Sequence, residues 1–322
     1  MDYRQELKSK KKIVIKVGTS TITYPETGNI NLEKLEKFVR ILINLRNKGK
    51  EVIVVSSGAV GIGRNVLGFS KRPKEKPVRQ ACAAVGQGRL MMMYEKLFAE
   101  YSQITAQILL TKESITDQEG ARNARNTFDR LAAMKVVPIV NENDAISVAE
   151  ENHGNFGDND TMAAYVAALV KADLLILMSD IEGLYTDDPK KNPKARFVHT
   201  VGHIDEELEA MGKGAGTELG TGGMATKIEA AKIATCAGAD MVIADGHNIY
   251  TINDIMAGKK IGTLFLSEDK EYIGENEYAP AREEFRRKAK RRKKEHICKK
   301  DIQKHSQTCK GGVTNELYAG NW

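Results

Sequence analysis

Short runs of apolar, β-branched residues alternate along this chain with longer segments of helical period. The run "KIVIKVG" (12–18) has the length of a buried strand and ends in glycine. It is followed by "NLEKLEKFVRILINLRNKG" (31–49), where Leu32, Leu35, Phe38, Val39, Leu42 and Leu45 recur at helical spacing and Gly49 supplies a C-terminal stop. "EVIVVSSGAVGIG" (51–63) repeats the scheme, a strand running into a glycine-rich loop. Further strands are predicted at "ITAQILL" (104–110), "VVPIV" (136–140), "DLLILMSD" (173–180), "DMVIADG" (240–246) and "IGTLFL" (261–266). Helices are predicted over about 78–100, 118–134, 160–171, 205–211 and 224–237. This alternation is the signature of stacked βαβ units, and it predicts an α/β fold: a mainly parallel open sheet between two helical layers. After Leu266 the periodicity fails, and the remaining residues are too poor in aliphatics to build a second core.

Open sheets of this kind bind ligands beyond the carboxyl ends of their strands. Polar and small residues collect at four such ends: Lys16, Gly18 and Thr19; Ser56, Ser57 and Gly58; Asn141 to Asp144; and Ser179 with Asp180. Any one of these could be an ordinary polar loop. Four together mark a shared site.

Charge changes the picture less than the total suggests. The net +6 over 322 residues resides in the tail, since residues 281–322 hold 13 Lys+Arg against 5 Asp+Glu, leaving 36 against 38 for residues 1–280. Nucleic-acid binding is therefore not expected of the folded body, and a polyanion-binding arm is at most a property of "RRKAKRRKK". No apolar run approaches the roughly 18 residues of a membrane span, and Lys16 and Gly18 interrupt any signal-peptide core, so a cytoplasmic location is expected. The four cysteines are read as free thiols. His296, Cys298, His305 and Cys309 have spacings that match no standard zinc finger, and no metal site is assigned.

Two glycine-rich segments suit phosphates. "SSGAVGIG" offers backbone N–H groups at a strand-to-helix turn, and "GTELGTGGMATK" leads into a helix carrying Lys227. Neither fits a Walker A loop or a Rossmann fingerprint, and protein-kinase signatures are absent. A phosphotransferase built this way belongs to another lineage.

The motifs "KVGTS", "SSGAVGIG", "AAVGQGRLMMMYE", "QILLT", "NARNT", "VPIVNENDA", "GDND", "SDIEGLYTDDPKKNP", "GTGGMATK" and "GTLF" occur in the order and approximate spacing of the glutamate 5-kinase branch of the amino acid kinase family. The chain resembles that family over roughly residues 10–266. The resemblance implies an αβα three-layer sandwich and transfer of the γ-phosphate of ATP, with Mg²⁺, to the side-chain carboxylate of L-glutamate, the first step of proline synthesis. It also implies proline as a feedback inhibitor, a homo-oligomer, and hand-over of the product to a glutamyl phosphate reductase. Residues 1–268 would form the kinase domain, with a glutamate-binding lobe to about residue 170 and a nucleotide-binding lobe after it, followed by a basic, disordered tail (269–322) without a PUA domain.

By the same resemblance Lys16 and Lys227 are catalytic and Asp160 holds them in place; Ser57, Asp144 and Asn159 bind substrate. To these the expectation adds Gly58, Asn141 and Asp158 for substrate. For the nucleotide it takes Lys16, Ser179 (where Thr is usual), Asp180 and the segment Thr221, Gly222, Gly223, Met224, Ala225, Thr226 and Lys227. The chemistry of the residues is compatible. A γ-carboxylate with a reference pKa near 4.3 is already ionised at neutral pH and needs no general base. What it needs is cations, because two unit charges about 4 Å apart repel by about 4 kcal/mol at an effective dielectric of 20. Asp144, with the carboxamide of Asn141, can receive an α-ammonium, and Asn159 with the Ser57 hydroxyl can donate to carboxylates. Alternatives are an N-acetylglutamate or aspartate kinase, a non-catalytic glutamate or proline sensor, and, for the acidic segment alone, a solvated or calcium-binding loop. Met91 to Met93 are expected in packing or subunit contact rather than at a ligand.

Overall fold

The computed structural model of the protein describes residues 2–24, 26–147, 159–187, 189, 192–206, 208–209 and 223–270. Ten strands are present among them: β1 (Lys12–Val17), β2 (Glu51–Ser56), β3 (Thr105–Leu110), β4 (Val137–Glu142), β5 (Leu174–Ser179), β6 (Leu184–Tyr185), β7 (Phe197–Val198), β8 (Thr200–Val201), β9 (Asp240–Asp245) and β10 (Thr263–Phe265). Eight of them form one sheet in the order β3-β4-β2-β1-β5-β9-β10-β8, and β6 pairs with β7 in a separate antiparallel ribbon. From β3 to β9 every pairing is parallel; β10 runs antiparallel to β9 and parallel to β8.

The central strands read as continuous apolar runs because helices cover both of their faces. Along β1 the side chains alternate between two cores. Ile13, Ile15 and Val17 enter one with the helices Leu32–Asn47, Lys76–Ala99 and Thr251–Met256. Val14 enters the other with the helices Gln118–Ala133, Asn159–Val170 and Met224–Cys236. The result is the expected three-layer αβα sandwich. By the same alternation Lys16 falls on the face of the second layer, where the Asn159–Val170 helix packs.

Chain order reverses about β1, which has β2 on one side and β5 on the other. A crevice beyond the carboxyl end of β1 follows from that switch. Strand and helix positions agree closely with the periodicity, and three features differ. "SSGAVGIG" is a loop only as far as Gly58, after which Ala59–Val66 is helical. Strand β10 is antiparallel, a direction that an apolar run does not encode. At the N-terminus, outside any periodic pattern, the guanidinium of Arg4 is buried and donates to the carbonyls of His199 (2.6 Å), Ile261 (2.5 Å) and Gly262 (2.8 Å), tying the Tyr3–Glu6 helix to the far edge of the sheet.

Met91 and Met93 pack against the first core, while Met92 faces outward. Cys82 and Cys236 are free thiols; Cys298, Cys309, His296 and His305 lie outside the described residues. The predicted 205–211 helix is described only in part, and the basic tail after Lys270 is not described.

Candidate functional site

Three expected residues meet at the crevice. Asp160, in the first turn of the Asn159–Val170 helix, is 1% exposed and receives Lys16 Nζ on Oδ1 at 2.6 Å and Lys227 Nζ on Oδ2 at 2.9 Å. The two ammonium groups thus sit on the two oxygens of one carboxylate. Burial opposes ionisation of that carboxyl, yet the adjacent Lys16 and Lys227 hold it below the usual carboxylate range. Its place in a first helical turn adds to this, since helix N-termini favour negative charge. Among the described residues two ammonium groups meet one carboxylate here, an arrangement to which a phosphate chain can add as a further partner.

Helix packing explains how Lys227 reaches Asp160. The Met224–Cys236 and Asn159–Val170 helices face each other through Ala163, Ala164, Ala167, Ala230, Ala231 and Ala234, all fully buried. Small side chains let the axes approach closely. Neither lysine is on a loop: Lys16 lies near the end of β1 and Lys227 in the first turn of its helix. Regular elements fix both more tightly than loops would.

The substrate-type residues occupy the adjoining strand ends. Gly58, with φ of +110°, precedes the Ala59–Val66 helix and takes a backbone conformation that L side chains rarely adopt. Ser57 Oγ donates to the Val17 carbonyl (3.3 Å) and accepts from Thr19 Oγ1 (3.4 Å), so β1 and β2 are joined at their ends. One residue earlier, the buried Tyr94 hydroxyl and Ser56 Oγ share a 3.0 Å hydrogen bond.

A cavity of about 260 Å³ opens between the Ala59–Val66 and Lys76–Ala99 helices and the ends of β3 and β4; Glu142, Asn143, Asp144 and Gln87 line it. Its two helices cross in contact because Gly63 and Gly86 lack Cβ atoms, which would stand 1.8 Å from the carbonyl oxygens of Cys82 and Ala59 respectively. Burial pushes the Asp144 carboxyl above its usual range, with the Arg72 guanidinium opposing. An arriving ammonium would restore the lost solvation.

Asn141, only 2% exposed, is held from several sides: its Oδ1 accepts from the Glu142 N–H (2.9 Å) with Asn159 Nδ2 3.5 Å from the same oxygen, and one Nδ2–H is donated to Gln87 Oε1 (2.8 Å). Asn141 is a brace between the cavity and the Asn159–Asp160 turn. Sequence reasoning also missed Gln87. The available signal was a carboxamide within "AAVGQG", a helical stretch otherwise made of small apolar residues.

Of the residues expected to hold the nucleotide, Ser179, buried at the end of β5, donates from Oγ to Asp180 Oδ1 (3.0 Å), and Asp180 is exposed. Gly223 caps the helix that begins at Met224, and Thr226 Oγ1 returns to the Gly223 carbonyl (2.8 Å). Ala225 is exposed on the same turn. Asp158, Thr221 and Gly222 lie outside the described residues.

The profile of the amino acid kinase family matches residues 11–245. The chain belongs to that family. A glutamate 5-kinase of Clostridium tetani is 53% identical over 262 residues, covering 81% of this chain and 97% of the relative. Another, from Carboxydothermus hydrogenoformans, is 52% identical over 267 residues, covering 83% of this chain and 71% of the relative. Among solved structures, a UMP kinase from Ureaplasma parvum superposes with a TM-score of 0.55 at 16% identity over 80% of this chain and 99% of that one. A carbamate kinase from Giardia lamblia bound to AMP-PNP gives 0.54 at 16% identity over 80% of this chain and 99% of that one. These two likenesses show that the fold is shared with both.

Proposed function

We propose that the protein transfers the γ-phosphoryl group of ATP to the side-chain carboxylate of L-glutamate, giving L-glutamyl 5-phosphate. The observation that carries this reading is the pair of lysines fixed on one buried carboxylate, Lys16 and Lys227 on Asp160, beside a cavity that contains Asp144. The name printed for the relatives at 52% and 53% identity supports the choice of acid.

The chain's residues divide the work as follows. The incoming γ-carboxylate is its own nucleophile, so the site has to offset repulsion rather than remove a proton. Lys16 and Lys227 stabilise charge on the transferring phosphoryl group, and Asp160 keeps both ammonium groups aimed at one point. Asp144 receives the substrate ammonium, while Ser57, Asn159 and the backbone at Gly58 orient its carboxylates. Ser179, Asp180 and the turn from Gly223 to Lys227 hold the nucleotide. Lys16 and Asp160 apart, residues before about 170 thus serve glutamate and those after it ATP.

ATP enters such sites with Mg²⁺, which shields phosphate charge. Among the described residues no three His, Cys, Asp or Glu side chains converge. Proline carries the same α-carboxylate and a secondary α-ammonium without an acceptor carboxylate, so it fits the role of an inhibitor competing for the glutamate pocket. An acyl phosphate is labile, and a reductase that consumes it directly is the expected partner. A homo-oligomer working in the cytoplasm completes the reading. No described helix is long and apolar enough to cross a membrane.

The test is ATP- and Mg²⁺-dependent hydroxamate formation in the presence of hydroxylamine, with L-glutamate, N-acetylglutamate and L-aspartate in parallel. Signal with L-glutamate alone is expected. Signal only with another acid would replace the substrate, and silence with all three would turn the reading towards a non-catalytic sensor.

A further inference from the structure

Gln87 stands on the Lys76–Ala99 helix, 92% buried by its 8% exposure, and lines the cavity that holds Asp144. The orientation of its amide is dictated from a distance. The Glu142 backbone N–H donates to Asn141 Oδ1 at 2.9 Å, and a backbone donor can only face an oxygen. Asn141 must therefore turn Nδ2 towards Gln87, and Gln87 must answer with Oε1, at 2.8 Å. Gln87 Nε2 is left pointing elsewhere, buried and with no hydrogen-bond partner among the described residues. Glu142 and Asp144 line the same cavity, and neither takes that donor.

A buried amide donor without an acceptor is uncommon, because its lost hydration is not replaced. Here the backbone forces that state, which leaves a fixed donor on a residue that lines the same cavity as the Asp144 carboxyl. A ligand matching both must present an acceptor to one and a cation to the other. An α-amino acid head does so, with its carboxylate and its ammonium.

We infer that Gln87 is a specificity residue that donates from Nε2 to the α-carboxylate of the substrate while Asp144 receives the α-ammonium. The inference rests on the proposed L-glutamate kinase activity and deepens it. The Gln87–Asn141–Asn159 chain of amides then links recognition of the amino acid head to the turn that carries Asp160. The side-chain carboxylate is left to extend towards the lysines.

The discriminating ligand is 4-aminobutyrate, which keeps the acceptor carboxylate and the amine of glutamate and lacks only the α-carboxylate. Gln87→Glu keeps the oxygen that Asn141 needs and deletes the donor; Gln87→Met deletes both, and melting temperatures report folding of each. At pH 8, Gln87→Glu should raise KM for L-glutamate about tenfold or more, with KM for ATP unchanged. The inhibition constant of 4-aminobutyrate should stay within about threefold of wild type, the donor's absence being invisible to a ligand without the α-carboxylate. Gln87→Met should show the same preference for harming L-glutamate, so that misfolding of one variant leaves the other to decide. An unchanged KM for L-glutamate, or equal losses for both ligands, would overturn the assignment and leave Gln87 as packing for Asn141. A wild-type enzyme inactive on L-glutamate would overturn the functional reading and this assignment with it.

Discussion

Replacing Asp160 by Asn tests the arrangement on which the phosphotransfer reading depends. The substitution keeps size and shape but removes the negative charge that Lys16 and Lys227 share, their Nζ atoms lying 2.6 and 2.9 Å from its oxygens. Both lysines are themselves almost buried, at 8% and 4% exposure, so neither can recover hydration in place. Breaking a buried ion pair in this way costs about 3–5 kcal/mol. At about 2–4 °C per kcal/mol for a domain of this size, a fall in Tm of roughly 6–20 °C is expected in calorimetry without ligand. ATP should return part of it and shift the Tm of the variant more than that of wild type, because the phosphates supply the missing anion. The rate constant kcat should fall about 10²–10³-fold as the lysines lose their common aim.

The sign with pH is fixed by the lowered carboxyl pKa. A group depressed in the folded state stabilises above its unfolded pKa, near 3.9, and loses that contribution as pH falls through the folded value. The difference between wild type and Asp160→Asn should therefore hold at neutral pH and shrink only in acid. Equal Tm values at pH 7, together with kcat within threefold of wild type, would refute the clamp.

Lys227→Ala should cut kcat about 10²–10³-fold in steady-state assays while KM for L-glutamate moves little; a pure rise in KM would contradict its role at the phosphoryl group. Asp144→Ala should raise KM for L-glutamate with ATP binding intact. In wild type that KM should climb as pH drops through the raised Asp144 pKa, because only the carboxylate holds an ammonium; a flat profile would count against the pairing. Gly86→Ala places a Cβ 1.8 Å from the Ala59 carbonyl oxygen and should force the two cavity helices apart, costing about 1–3 kcal/mol by thermal unfolding and raising KM for L-glutamate. Wild-type stability in that variant would mean the helix crossing is looser than it looks.

Much of this protein is legible in its sequence, because strands and helices are written by local periodicity. The runs around Ile13, Val52, Val137 and Leu174 became parallel strands, and Lys16, Ser57, Asp144 and Ser179 fell at their ends or just beyond them. Lys16, Asp160 and Lys227 could be named from motif resemblance. Their common point could not: it depends on the side-chain alternation of β1 and on alanine faces that bring together two helices separated in sequence, Asn159–Val170 and Met224–Cys236. The direction of β10 was equally hidden, since an apolar run has the same composition in either orientation.

The carboxamides show the limit most clearly. From the sequence Asn141 looked free to meet an ammonium, and Gln87 looked like one polar residue on a helix. Which atom of each amide is consumed is decided by a backbone N–H at Glu142 and by a contact across 54 positions. Composition and spacing determined which chemical groups were present. Only tertiary packing decided which of them were consumed internally and which were left for a ligand, because a hydrogen bond is assigned by partners and not by neighbours in sequence.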